Sequence, residues 1–186
     1  MCIRDSIYTN TELIINYGLN STSDTPTISI SGGIFSLSEN INNISINSLT
    51  GIVTFNNPIP VNTYNFNIIY TTNQITTIPY SLVVNPKNIT CSGVNKTYDQ
   101  TTSATVTLNG IINGDIVSSP TATFADKNVG SNKTVTITGS ITGVDSGNYN
   151  LTTTSTTASI TQLNICLLYT SPSPRDRTRS RMPSSA

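Results

Sequence analysis

Hydrophobic and polar positions alternate along this chain in short runs, and the runs recur at close spacing between clusters of Gly, Pro, Asn and Ser. Alternation with a period of two sends successive side chains to opposite faces of a pleated strand, so it predicts half-buried β-strands rather than helices. The clearest run is Tyr64-Asn65-Phe66-Asn67-Ile68-Ile69-Tyr70, which puts Tyr64, Phe66, Ile68 and Tyr70 on one face as half of a core. Thr27-Ile28-Ser29-Ile30 and Ile44-Ser45-Ile46 alternate before it, and Ile52-Val53-Thr54-Phe55 follows a turn at Leu49-Thr50-Gly51. Tyr80-Ser81-Leu82-Val83-Val84 reads as a closing strand. Pro58, Pro60 and Pro79 are expected between runs, where a missing N–H costs no ladder hydrogen bond.

The second half repeats the pattern. Ile89-Thr90-Cys91, Ser103 to Leu108, Ala122-Thr123-Phe124, Lys133 to Thr138, Tyr149 to Thr152 and Ala158 to Thr161 read as strands. Turns are expected at Asn109-Gly110, Asn113-Gly114-Asp115, Val129-Gly130 and Ser146-Gly147-Asn148, whose residues tolerate positive φ. Many short strands at regular spacing indicate a sandwich or barrel. Asn85-Pro86-Lys87 divides the chain, because a residue before proline is pushed to an extended conformation that connects strands. The expectation is an all-β chain of two tandem immunoglobulin-like β-sandwich domains, residues 7–84 and 85–164, each near the lower size limit for a self-sufficient core.

Composition agrees. The chain is dominated by Asn, Ser, Thr, Ile and Val, and β-branched residues favour pleated surfaces. Regularly spaced β-branched and aromatic residues argue against disorder.

The two ends read differently. Met1-Cys2-Ile3-Arg4-Asp5-Ser6 back-translates as ATGTGTATAAGAGACAG, and its reverse complement, shifted one base in frame, encodes Cys166-Leu167-Leu168-Tyr169-Thr170. The pair resembles the transposase adapter used to fragment DNA for sequencing, and Ser171 to Ala186 fits the adapter's downstream arm. Residues 1–6 and 165–186 are therefore expected to be translated adapter, disordered and non-native, and the natural residues to be an internal window on a longer chain.

This changes the charge. The whole chain is formally neutral, but every arginine (Arg4, Arg175, Arg177, Arg179 and Arg181) lies in the adapter-like ends. Between them, four lysines (Lys87, Lys96, Lys127, Lys133) stand against seven acidic residues (Glu12, Asp24, Glu39, Asp99, Asp115, Asp126, Asp145), a formal charge of −3. The basic tail would otherwise read as a patch for nucleic acid or membrane surfaces; neither is expected as a partner. Cys2 and Cys166 also fall in the ends, leaving Cys91 with no internal disulfide partner. No apolar run is long enough to span a bilayer, and with no histidine and no cysteine cluster the usual zinc ligands are missing.

Lys96-Thr97-Tyr98-Asp99-Gln100-Thr101-Thr102, Gly110 to Asp115, Phe124-Ala125-Asp126-Lys127-Asn128-Val129-Gly130, Lys133-Thr134-Val135 and Gly147-Asn148-Tyr149-Asn150-Leu151 follow one another in an order that resembles the YDG-type repeat of bacterial surface adhesins. Gln100 stands where the motif has glycine, so a positive φ is not expected there. The first half is similar, more loosely, to cadherin-like or immunoglobulin-like repeats, through Ser31 to Ser36, Ile44 to Val53 and Tyr64. The resemblance implies tandem extracellular β-sandwich modules of a large secreted or cell-surface protein. Cadherin-type calcium sites need clustered carboxylates between repeats, whereas the junction sequence is Asn85-Pro86-Lys87, so no calcium is expected there.

Candidate chemistry reads as structural. Tyr98-Asp99 could be imagined as a proton-transfer pair and Asp115, Asp126 and Asp145 as a carboxylate cluster, but general acid–base work needs a positioned partner in a pocket. Asp115 and Asp145 lie in Gly-flanked turns, where a carboxylate accepts from nearby backbone N–H groups. Cys91 reads as a small half-buried residue, and Tyr98 and Tyr149 as core or corner tyrosines. The glycosylation-type triplets at Asn20, Asn43, Asn88, Asn95, Asn132 and Asn150 follow from composition. No catalytic, metal or cofactor residue is expected. The function expected is a non-catalytic stalk or spacer of an adhesin, with neighbouring repeats as partners and a glycan or protein as the extracellular ligand. The alternative is a carbohydrate-binding accessory module of a secreted polysaccharide-degrading enzyme, which calls for a flat or grooved face with exposed aromatics.

Overall fold

A computed structural model describes residues 6–29 and 31–165. The expected disorder of the ends lies outside these residues except at Ser6 and Ile165, and Ser6 departs from it by pairing with Ile28.

The described chain is all-β. Its first half contains β1 (Ser6–Ile7), β2 (Glu12–Asn16), β3 (Ser21–Thr22), β4 (Thr27–Ile28), β5 (Ile34–Leu37), β6 (Ile44–Ile46), β7 (Val53–Phe55), β8 (Asn62–Thr71) and β9 (Ile75–Asn85). A four-stranded sheet in the order β2-β9-β8-β5 packs on a three-stranded sheet β3-β7-β6, while β1 and β4 pair separately. The period-two reading of β8 holds. Phe66, Ile68 and Tyr70 are buried with Tyr64 half-buried, and they meet Ile44, Val53 and Phe55 from the smaller sheet. Tyr80 of β9 stacks with Phe66 at 5.6 Å and Phe55 at 6.3 Å, and Phe35 lies 4.5 Å from Tyr70. Such ring pairs add to area burial by about 0.5–1.5 kcal/mol each.

Two expectations are corrected in this half, and one strand is added to them. Pro79 lies inside β9, opposite Asn67 of β8. The position tolerates it because both backbone groups of Asn67 turn to Ser38, away from β9. The pair is therefore the non-hydrogen-bonded kind, and β2 joins the other side of β9 only from Ser81 onward. The run from Thr27 forms only the exposed two-residue β4; Ile30 is outside the described residues. Strand β2 escaped the pattern because consecutive Leu13-Ile14-Ile15 blurs the alternation, Ile14 pointing outward at 59 % exposure.

Only Pro86 separates β9 from β10 (Lys87–Val94), which begins the second half. There follow β11 (Lys96–Thr97), β12 (Ser103–Asn109), β13 (Ala122–Phe124), β14 (Gly130–Ile137), β15 (Tyr149–Leu151) and β16 (Ser155–Thr161) in the order β11-β16-β14-β13-β12-β10-β15. This sheet curls until its margins meet. Cys91 and Gly93 of β10 donate their N–H groups to the hydroxyls of Thr153 and Thr156 at 3.2 and 3.3 Å. Gly93 permits the approach, since a Cβ there would lie 2.6 Å from the Thr157 carbonyl oxygen. Inside lie Cys91, Val106, Ala122, Phe124, Val135, Ala158 and Ile160.

The turns differ in detail from the sequence reading. Gly110 and Gly114 have positive φ, but Gly130 opens β14 and Gly147 sits in a 3-10 turn at Ser146–Asn148, neither with positive φ. Gln100, expected otherwise, is at φ 69°. The surrounding loop accounts for it. Asp99 accepts from the Thr101 N–H at 2.9 Å and from the Lys96 ammonium at 2.8 Å. The same ammonium donates to the carbonyls of Thr101 and Ser103 at 2.9 and 2.8 Å, and lies 5.4 Å over the Phe124 ring. A left-handed residue persists where its surroundings over-determine it.

Candidate functional site at the junction of the two halves

The region with the most side-chain chemistry is where β9 passes into β10. Tyr17 follows β2 and donates its N–H to the carbonyl of Asn85 at 2.9 Å. That fixes its ring, 4 % exposed, at the end of the first half. Its hydroxyl donates to Asp115 Oδ2 at 2.9 Å. The Tyr149 hydroxyl donates to the same oxygen and accepts from the Ile112 N–H at 3.0 Å. The two rings meet edge to face, centroids 5.5 Å apart. Asp115 is delivered by the turn after Gly114, whose φ is 102°. A second strap joins the Val61 N–H to Asn148 Oδ1 at 3.0 Å.

Apolar packing surrounds this polar centre. Ile89 and Tyr149 of the second half belong to the first half's buried cluster, and Ile111, Ile112, Val117 and Ile141 pack against it. Gly18 serves this contact twice: its φ is +90°, and a Cβ on it would lie 2.5 Å from Ile112 Cδ1.

Burial, followed by the Asp115 carboxylate, raises both hydroxyls, Tyr17 above the ordinary tyrosine range and Tyr149 to about 12. Both stay neutral donors at ordinary pH. The arrangement has an acceptor filled by two donors and no free nucleophile, so chemically it is a latch.

The sequence reading missed this placement. Asp115 was expected to cap nearby backbone N–H groups; it instead binds tyrosines from both halves. Asp145 does cap backbone, accepting from the Ile116 N–H at 2.8 Å. Carboxylates also reach the junction, which the local sequence Asn85-Pro86-Lys87 did not suggest, because folding brings them from downstream turns. Asp126 stays apart, held by Lys133 and by the Asn128 N–H at 2.7 Å. Asp99 binds Lys96, and Tyr98 is half-buried against the second cluster with its N–H on the Thr161 carbonyl at 2.9 Å. Cys91 is fully rather than half buried, and burial pushes its thiol up. Among the described residues no three of His, Cys, Asp and Glu gather as a metal-holding group.

One open cleft of about 490 Å³ lies on the outer face of β8 and β9, lined by Glu12, Glu39, Asn65, Asn67, Pro79 and Ser81 among others. It offers polar groups but no aromatic platform, because Phe66 and Tyr80 at its floor are buried.

The fold therefore defines a chain of two β units latched end to end. Residues 85–158 match the sequence model of the YDG domain. A solved structure of Drosophila N-cadherin EC1-3 is similar at 9 % identity and a TM-score of 0.31, over 86 % of this chain and 69 % of that one. A comparison with curated proteins finds no match.

Proposed function

We propose that residues 7–164 are two non-catalytic modules from the repeat region of a large bacterial surface adhesin, and that they work outside the cell as a stalk or spacer. Both ends, residues 1–6 and 165–186, are on this reading translated sequencing adapter. The observation that supports the stalk role is the latch: Tyr17 and Tyr149, from different halves, donate to one Asp115 oxygen inside a continuous apolar contact. A linker of one residue with both sides packed limits bending, which is what a spacer needs in order to set reach and orientation. The acidic charge between the ends and the Asn/Ser/Thr-rich surface keep such an array from self-association. Adhesion to a glycan or protein is carried by these modules or by others in the parent chain.

Stretching single molecules tests the reading: each half should unfold cooperatively at a defined force, and a trace without such events would sink it. The cleft beside Glu12 and Glu39 favours the rival reading of a carbohydrate-binding accessory module. Glycan-array binding abolished by Asn65→Ala would bring that reading forward.

A further inference from the structure

The two halves share a device that only one of them uses. In the first, β2 runs parallel to β9 with Asn16 opposite Asn85, and the next residue, Tyr17, donates its N–H to the carbonyl of Asn85 at 2.9 Å. In the second, β11 runs parallel to β16 with Thr97 opposite Thr161, and the next residue, Tyr98, donates its N–H to the carbonyl of Thr161 at 2.9 Å. Each tyrosine thus stands beside the point where the chain leaves its unit. A left-handed residue stands close after each, Gly18 directly after Tyr17 at φ 90° and Gln100 two residues after Tyr98 at φ 69°.

The surroundings then diverge. Tyr17 is 4 % exposed because the second half covers it, whereas Tyr98 is only half-buried. Around Tyr98 the same end of the sheet leaves apolar surface open. Val129, next to Gly130 which pairs with Ile160, is 45 % exposed.

We infer that the Tyr98 end of the second half is a docking surface for a following module of the same type. That module's counterparts of Asp115 and Tyr149 would receive the Tyr98 hydroxyl and ring as Asp115 and Tyr149 receive Tyr17. The inference rests on the stalk reading and extends it from one junction to a repeating one. The occupant is set by the chain itself, which already seats a module on the matching end through the matching tyrosine. A single exposed apolar residue such as Val129 is ordinary; what marks this end as an interface is that its strand pairing and tyrosine repeat those of the occupied exit.

The test is the full chain with residues 86–161 repeated directly after Thr161, so that a second Pro86 follows Thr161 as the first follows Asn85. Backbone amide relaxation reports whether the modules tumble together. The expected result is one common correlation time for all three modules, and its loss for the added module alone on Asp115→Asn confined to that added copy. Tyr98→Phe, which keeps the ring and removes the hydroxyl, should loosen the added module and leave the first junction unchanged. An added module that tumbles freely behind a rigid first pair overturns the inference and spares the stalk reading. An added module that fails to fold overturns it equally, since the surface would then lack the support the first half gives. If the first pair itself tumbles as two bodies, the stalk reading falls with it.

Discussion

The two halves build their interiors from different material. The first buries Tyr8, Phe35, Phe55, Phe66, Tyr70 and Tyr80 in the core of its two sheets, with Tyr17 at the junction. The second closes one sheet around Val106, Ala122, Val135, Ala158, Ile160 and Cys91, with Phe124 as its only fully buried ring apart from Tyr149, which faces the junction. Aromatic side chains bury large areas, so the first half has the stronger core of its own. The second compensates at its margins, through the Lys96 clasp and through Ile89 and Tyr149, which it places in the first half's core. The difference makes the second half the dependent partner.

The largest effect should come from breaking the stronger core. Phe55→Ala removes a fully buried ring stacked on Tyr80 and is expected to cost about 3–5 kcal/mol in urea unfolding. Val135→Ala in the second core should cost about 2 kcal/mol, because fewer carbons leave. Since the buried cluster continues across the junction, Phe55→Ala should lower the midpoint of the second half's own probes as well. Second-half amides that keep their wild-type midpoint would break the claim of dependence.

Next in size is the latch. Tyr149→Phe deletes a donor to a carboxylate and the acceptor of the Ile112 N–H, an expected loss of about 1.5–3 kcal/mol. The same contact sets an alkaline limit. The folded state holds the Tyr149 proton more tightly than the unfolded chain does, so its contribution is full below the ordinary value of 10.0 and is lost as pH rises toward about 12. Tyrosinate absorbance followed alongside unfolding should show stability falling in that window in the wild type and a shallower fall in Tyr149→Phe. Equal slopes would remove the latch from the account.

Much of this was legible in the sequence and some was not, for physical reasons. Strands with one buried face were visible because burial enforces a period of two: Phe66, Ile68 and Tyr70 in β8, and Ala122 and Phe124 in β13. Pro79 was misplaced because a proline's tolerance depends on which side of the strand its nitrogen faces, and that is set by a partner strand. The latch was invisible because Tyr17 and Asp115 meet only through the fold. A turn aspartate looks the same in sequence whether it caps its own backbone, as Asp145 does, or binds distant hydroxyls, as Asp115 does.

The Lys96 clasp supplies a smaller, acid-side contrast. The Lys96 ammonium and then the Thr101 N–H hold the Asp99 carboxyl down at about 2, so its contribution is full above 3.8 and is lost as pH falls toward about 2. Lys133 lowers Asp126 in the same direction. Both carboxylates are exposed, so the loss should be modest and reduced further by salt. Acid titration in Asp99→Asn should flatten the amide shifts in β11 and leave the Tyr17 and Tyr149 signals following the same curve as in the wild type; a changed curve at the junction would mean that the two regions are coupled.

The smallest effect has the opposite sign. Gln100 occupies φ 69°, where a side chain with a Cβ is strained and glycine is not. Gln100→Gly relieves that strain but also loosens the unfolded chain, by roughly 0.5–1 kcal/mol. The expected net result is stabilisation of up to about 1 kcal/mol, read as a rise in the urea midpoint of the second half. Relief depends on the clasp forcing the turn. In a Lys96→Met background, where the donations to Asp99, Thr101 and Ser103 are gone, the loop can relax its backbone and the glycine should bring no gain. A gain of equal size in both backgrounds would mean that the left-handed turn is dictated by the β11–β12 connection itself, and the clasp would then be a consequence of the turn rather than its cause.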